Sequence, residues 1–92
     1  MNIKDFNFKG EFIGFCIVKD KTKNIVLVKA CDGSRKQADD KIYDYRKTLD
    51  AKNIITLEIA TIKNFGTISR EYIQKRINRF TEQTKSNGYI IE

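Results

Sequence analysis

The segment EFIGFCIVK, residues 11–19, constrains the fold more than any other part of this sequence, because it is apolar on both alternating faces. Successive side chains of a strand point to opposite sides, which gives two apolar sets: Phe12, Cys16 and Val18, and Ile13, Phe15 and Ile17. A strand of this kind belongs in the middle of a sheet that is covered on both sides. The sequence therefore predicts a sheet with this strand at its centre.

A charged turn, DKTKN, separates the first strand from a second one, IVLVKAC, at residues 25–31. After the turn DGS the apolar pattern changes to a helical one. Ser34 stands where an N-cap is expected, and Gln37 three residues later is the matching partner of a capping box. The helix is predicted to end near Ala51, and its buried stripe would contain Ala38, Ile42, Tyr45 and Leu49.

Residues 53–62, NIITLEIATI, alternate with period two and predict a third strand that turns Ile55, Leu57 and Ile59 inward. Thr67 or Ser69 is placed to cap a second helix, whose apolar face would contain Ile73, Ile77 and Phe80. The closing YIIE indicates a short last strand. We predict a single α+β domain over residues 1–92 in the order β-β-α-β-α(-β). Its antiparallel sheet has three or four strands with the first strand central, and the helices cover the sheet.

The composition excludes several kinds of chemistry. Histidine is absent, so Ser-His and Cys-His catalysis and imidazole metal sites are excluded. The two cysteines, Cys16 and Cys31, are too few for a disulfide framework or a four-thiolate zinc site, and we interpret them as small buried apolar residues. The acidic residues of the first helix have no partner ligands at defined positions. We therefore predict no catalytic residues, no metal and no cofactor.

No apolar run approaches the length of a membrane-spanning helix, and the first residues, MNIKDFNFKG, carry charges where a signal peptide would be apolar. The sequence therefore predicts a cytoplasmic protein with no membrane partner.

The chain is strongly basic, with 18 Lys and Arg against 12 Asp and Glu, a net charge of +6. A small domain with this charge favours a nucleic-acid or acidic partner. The basic residues that we expect to contact DNA or RNA phosphates lie on the second strand and the two helices: Lys29, Arg35, Lys41, Arg46, Lys75, Arg76 and Arg79. Such binding would be salt-dependent and weakly sequence-specific. The alternative is that these charges only solvate the surface of the protein. We interpret the lysines of the turn DKTKN in this way.

The hairpin GFCIVKDKTKNIVLVK resembles the opening hairpin of the GIY-YIG nuclease family. Its triplets GFC (14–16) and LVK (27–29) match the spacing of the family's name-giving triplets, and SREYIQKRINRF with the trailing SNGY is similar to the family's closing helix. The resemblance implies a three-stranded sheet with the first strand central, followed by helices.

This sequence departs from the family at most catalytic positions. The two tyrosines fall at Cys16 and Leu27, and the second triplet's glycine falls at Lys29. The first-helix arginine falls near Lys41, with Arg46 one turn later, and the metal-binding glutamate is matched by Glu71. Phosphodiester cleavage needs a metal carboxylate, a base for water and a cation beside the phosphate. The resemblance therefore implies a degenerate scaffold that does not cleave.

A second resemblance concerns ISREYIQKRINRF, residues 68–80, which is similar to the recognition helix of winged helix-turn-helix regulators. Such a helix places its first polar residues on base edges in the major groove. The preceding segment, TLEIATIKNFG, would have to form the first helix of the pair, but its period of two favours a strand.

Three functions remain open from the sequence. The first is a small non-catalytic nucleic-acid-binding protein, on a degenerate GIY-YIG-like scaffold. The second is a phage or mobile-element inhibitor or interaction protein that binds a nucleic-acid-processing enzyme. The third is a residual metal-dependent nuclease that uses Glu71.

Overall fold

The computed structural model describes residues 2–92, and its elements follow the predicted order. After a short 3₁₀ helix (Ile3–Asp5) come the strands β1 (Phe12–Asp20), β2 (Ile25–Gly33), β3 (Ile54–Lys63) and β4 (Tyr89–Ile91). Helix α1 (Arg35–Lys47) lies between β2 and β3 in the chain, and helix α2 (Thr67–Gln83) lies between β3 and β4. The predicted α+β class is confirmed.

The four strands form one sheet in the order β3-β1-β2-β4. Strand β1 is antiparallel to both of its neighbours, β2 and β3, so the predicted central position of the first strand is confirmed. Strand β4 instead pairs parallel with β2, which makes the sheet mixed rather than wholly antiparallel. The reason lies in the connection: β2 and β3 run in the same direction, and α2 carries the chain back across the sheet. Because the crossover helix returns the chain to the end of the sheet at which β3 begins, β4 starts there and runs parallel to β3 and β2.

Strand β1 supplies the centre of two separate cores, one on each face of the sheet. On one face Ile13, Phe15 and Ile17 pack with Ile73 and Ile77 of α2. On the other face Cys16 and Val18 pack with Ile42 of α1. All of these side chains are buried. The apolarity of both faces of β1 therefore reflects a helix on each side of the sheet.

Gly14 sets the distance between β1 and α1. A Cβ atom at this position would lie 2.7 Å from the carbonyl oxygen of Ala38 and 2.7 Å from Cγ1 of Ile42. Both distances are far below van der Waals contact, so any side chain at position 14 would push the helix away. The absence of a side chain allows the helix backbone to lie directly on the central strand.

Helix α1 begins where the sequence predicts and ends earlier. The Ser34 hydroxyl accepts from the Gln37 amide at 3.1 Å, and the Gln37 side chain accepts from the Ser34 amide at 3.0 Å, which confirms the capping box. The helix ends at Lys47 and not near Ala51, because the Thr48 hydroxyl and amide both bond to the carbonyl of Tyr45. Leu49 still packs on the α1-side core, but from the loop.

Strand β3 does not keep the simple alternation that the sequence suggests. Ile17 is paired with Glu58 but Val18 with Thr56, so Leu57 is an extra residue in a β-bulge. The extra residue breaks the alternation, so side chains before the bulge point to the opposite face of the sheet from the one that simple alternation with the later residues would give. Ile55 is consequently 47% exposed, Leu57 packs towards α2, and Ile59 packs towards α1. The prediction that these three side chains share one buried face was wrong.

Helix α2 also starts differently from the prediction. Its N-cap is Gly66, whose φ of 67° is in the region that favours glycine, and no side chain caps the first turn. Thr67 is the first helical residue. The Ser69 hydroxyl points inward, accepts from the Phe65 amide at 2.8 Å and donates to the Lys63 carbonyl at 2.8 Å. Ser69 therefore fixes the turn between β3 and α2 and does not cap the helix.

Candidate nucleic-acid interface

The seven basic residues predicted to contact phosphates fall into two groups on opposite sides of the sheet. Lys29, Arg35, Lys41 and Arg46 lie on the side of α1, and Lys75, Arg76 and Arg79 lie on α2. The sheet and its two cores separate the groups. One flat nucleic-acid surface therefore includes one group but not both.

In the α1 group the side chains are positioned by aromatic rings and neutral oxygens. Lys29 lies 6.0 Å from the ring centre of Tyr45, and Lys41 donates to the carbonyl of Asp32 at 3.1 Å. Arg35 and Arg46 are held in the same way, the first 5.7 Å from the ring of Phe12 and the second by the Thr56 hydroxyl. Within residues 2–92 none of these four cations forms a salt bridge. Their charge remains available to an anion.

In the α2 group the three cations differ. The Arg76 Nε donates to Glu58 at 2.8 Å, and its guanidinium lies 4.9 Å from the ring of Phe80. The hydrogen bond to Glu58 raises the pKa of Arg76, and the Glu58 carboxylate offsets the positive charge of the guanidinium. Lys75 and Arg79 are exposed on the outer side of the helix. Only these two offer free charge to a phosphate.

A cleft of about 510 Å³ beside the start of α1 is lined by Arg35, Lys36, Asp39 and Thr61. Lys36 forms a salt bridge of 2.7 Å with Asp40, which raises the pKa of Lys36. The Asp39 carboxylate accepts from the Thr61 hydroxyl at 2.9 Å. Because this cleft contains both cationic and anionic side chains, it is a poor binding site for an anion.

A more basic surface lies at one end of the molecule, where hydrogen bonds join three turns that are far apart in the sequence. The Lys21 amide donates to the carbonyl of Asn53 at 2.9 Å, which joins the β1–β2 turn to the loop before β3. The Asn24 side chain donates to the carbonyl of Lys85 at 3.3 Å, which joins the same turn to the segment after α2. These three turns carry four exposed lysines, and we call this end of the molecule the lysine end: Lys21, Lys23, Lys52 and Lys85.

The lysine end also contains acidic side chains: Asp50, whose carboxylate accepts from the Lys52 amide, and Glu82 are exposed in the same turns. Two further charged side chains there are held by internal bonds. Lys19 is buried and donates to Asn24, to the Thr84 carbonyl and to the Ser86 hydroxyl, so it ties two turns together. Asp20 accepts from the hydroxyl and amide of Thr22, and chiefly the hydroxyl lowers the pKa of Asp20. Within residues 2–92 none of the four exposed lysines forms a salt bridge.

Lys52 and Lys85 are not among the seven basic residues predicted from the sequence, which suggests for Lys21 and Lys23 only the role of solvated charges. One signal in the sequence could have found them. Each of the three turns places a lysine next to small polar turn residues and an asparagine, in KTKN, AKN and TKSN. Turns of similar composition do not show from sequence alone that they meet, because the meeting depends on strand pairing and on the length of α2.

The positions that correspond to GIY-YIG catalytic residues do not converge. Cys16, Leu27 and Lys29 lie on the α1 side of the sheet, whereas Glu71 is exposed on α2 on the opposite side. Burial raises the pKa of the Cys16 thiol to about 11, which keeps it protonated at neutral pH. A metal carboxylate and a phosphate-binding cation must surround one phosphate, and these positions do not.

Comparison with known proteins gives no relative: no family model, curated protein or solved structure matches the chain. Within residues 2–92 no three acidic or cysteine side chains are grouped as metal ligands would be. None of the helices in that part of the chain has the length and apolar character needed to cross a membrane.

Proposed function

We propose that this protein binds nucleic acid through the phosphate backbone and does not cleave it. The observation that carries the proposal is the lysine end, where hydrogen bonds join three turns that carry four exposed lysines. A nucleic-acid backbone presents closely spaced negative charges, and clustered lysines gain from releasing its counterions. Contacts of this kind hold the backbone without reading bases, so binding would be weakly sequence-specific.

The α1 group extends this surface. Helix α1 ends at Lys47, and the loop that follows leads directly to Lys52 and to the contact with Lys21. Arg46 is held by Thr56 near the start of β3, beside the same loop. A backbone bound at the lysine end therefore continues along α1 towards Lys29, Lys41 and Arg35. Lys75 and Arg79 are reached only by a longer nucleic acid that wraps around the molecule, and Arg76 stays paired with Glu58.

The absence of cleavage is supported by the separation of Glu71 from the positions on the α1 side. The GIY-YIG-like scaffold is supported by the central β1 and by the antiparallel hairpin that carries both triplets. We propose on this basis that the chain is a degenerate member of that fold type whose surface binds nucleic acid.

The experiment is a titration with labelled duplex DNA, single-stranded DNA and RNA at two salt concentrations, with Mg²⁺ present. The test variant is Lys21→Gln/Lys52→Gln/Lys85→Gln, and the matched control is Lys4→Gln/Lys9→Gln/Lys63→Gln, which removes the same charge from other exposed positions. Each lost phosphate contact should lower the slope of log affinity against log salt by about 0.7 to 0.9. We expect this loss for the test variant and a much smaller one for the control.

Two results would overturn the proposal. Equal loss in both triple variants would mean that binding follows net charge and has no defined site, and no binding at low salt would remove the function itself. Cleavage of the labelled strand that disappears in Glu71→Ala would support the residual nuclease instead.

A second function, as an interaction protein, has its own observation. Three large apolar side chains near the start of α2 remain on the surface: Phe65, Ile68 and Tyr72. Isolated exposed apolar residues are ordinary, but a group of them beside one another favours a protein contact. This supports an inhibitor or interaction protein, whose partner would be a nucleic-acid-processing enzyme.

A further inference from the structure

The exposed apolar residues beside α2 form one continuous surface. Phe65 is 63% exposed, Ile68 72% and Tyr72 45%. Together with Ile62 at the end of β3 they line a hollow of about 260 Å³ between that strand and the first turns of the helix. We call these four residues the α2 patch. Its side chains come from three successive segments of chain, so the surface is produced by the β3–α2 turn.

The outer edge of β3 lies next to the α2 patch and has no strand partner within residues 2–92. Strand β3 is the last strand of the sheet on its side, and it is ten residues long, Ile54–Lys63. Half of its backbone N–H and C=O groups therefore point away from β1. Such an edge is a template for one more strand, and domains that bind peptides by strand addition use it in this way.

The charges around the α2 patch select the kind of strand that fits. The Lys63 ammonium lies 5.9 Å from the ring centre of Phe65, and Lys75 and Arg79 are exposed further along α2. Glu71 is an exposed carboxylate beside Tyr72, so three cations stand against one acidic side chain here. A second copy of this chain would bring another net charge of +6 to this surface. Electrostatic repulsion disfavours that pairing, whereas carboxylates of a different protein would be attracted.

We propose that the outer edge of β3 and the α2 patch together bind an extended acidic segment of another protein. The segment adds as a strand to β3, its apolar side chains cover Phe65, Ile68 and Tyr72, and its carboxylates face Lys63 and the exposed cations of α2. This proposal deepens the second function above and does not depend on nucleic-acid binding.

The first test is selection of linear peptides of about 12 residues, long enough to span β3, from a random display library on the full chain. We expect enrichment of sequences that combine apolar residues with Asp and Glu. Ile68→Ser and Tyr72→Ser should weaken the best synthetic peptide about tenfold or more. Matched controls are Ile90→Ser and Tyr43→Ser, which change apolar side chains that are 50% and 48% exposed elsewhere, and these should keep the affinity of the unchanged protein.

The second test is hydrogen exchange of the full chain with and without the selected peptide. Strand addition should slow exchange of the amides in residues 54–63, beyond any change at the side chains of the α2 patch. Selected peptides that bind all four serine variants equally would overturn the site but leave the second function possible elsewhere. Four results would each overturn the proposed occupant. The selected peptides would lack acidic residues, or hydrogen exchange in β3 would stay unchanged. Alternatively, Ile68→Ser would abolish a self-association of the chain or would lose oligonucleotide binding.

Discussion

Gly14 and Cys16 show how single residues determine the packing of β1 against α1. Gly14 leaves room for the carbonyl of Ala38, and Cys16 fills a fully buried position in the α1-side core. A tyrosine at position 16 would add an aromatic ring to a fully buried site, at a cost of about 1 to 3 kcal/mol or more. Packing thus explains why this hairpin has a glycine at position 14 and a small side chain at position 16.

Asp32 gives a prediction about pH. Its carboxylate accepts from the amides of Lys9 at 2.6 Å and Gly10 at 2.7 Å, and the Gly10 hydrogen bond is the main cause of its lowered pKa. Asp32→Asn should lower the free energy of unfolding by about 1 kcal/mol at pH 7. Because the folded pKa lies below the unfolded value of about 3.9, this stabilisation is complete above about pH 5 and is lost as pH falls through the folded pKa.

Urea unfolding at pH 7, pH 5 and pH 3 measures this effect. The control is Asp44→Asn, because Asp44 is exposed and no side-chain hydrogen bond holds it among the described residues. The stability gap between the unchanged protein and Asp32→Asn should be equal at the two higher pH values and smaller at pH 3. A gap that persists unchanged at pH 3 would contradict the role assigned to the charged carboxylate.

At the scale of elements, the start of α1 is stabilised by a side-chain N-cap that a single substitution can remove. Ser34→Ala deletes the hydroxyl that accepts from Gln37, and replacement of a capping serine by alanine typically lowers stability by about 1 kcal/mol. Ser34→Thr keeps a hydroxyl and should remain close to the unchanged protein. Thermal unfolding followed by circular dichroism compares the three proteins, and equal midpoints for Ser34→Ala and the unchanged chain would refute the cap.

The elements that were predicted well are those whose signal is local. The apolarity of both faces of β1 and the Ser34 cap of α1 are written in short stretches of sequence, and both are confirmed. The errors arise where another element decides. The bulge at Leu57 depends on the pairing of β3 with β1, and the parallel direction of β4 depends on the crossing of α2.

The candidate sites were less predictable than the fold for a related reason. Helical spacing indicates that Arg76 lies near the surface, but it does not show that Glu58 on a different element neutralises it. The lysine end collects residues from three turns, and the α2 patch depends on the tight turn at Gly66. These surfaces are products of tertiary structure, so a shared composition of turns along the chain does not show that their residues meet.

For the whole molecule, the strands separate the two proposed binding surfaces. The lysine end lies where β1 ends and β3 begins, and the α2 patch lies where β3 ends. Ten strand residues at about 3.3 Å each span about 33 Å. This is nearly the longest extent of the molecule, 35 Å. Electrostatic screening at physiological salt acts over about 8 Å, so the lysine end barely influences the part of a peptide that covers the α2 patch.

This separation predicts that the two functions can be removed independently. Lys21→Gln/Lys52→Gln/Lys85→Gln should weaken oligonucleotide binding and leave the affinity for a selected acidic peptide within about twofold. Ile68→Ser should do the reverse, because distant sites contribute additively. The combined variant should show both losses, each equal to that of its parent. Titration of all four proteins with both ligands measures this, and a variant that loses both ligands would place them on one shared surface.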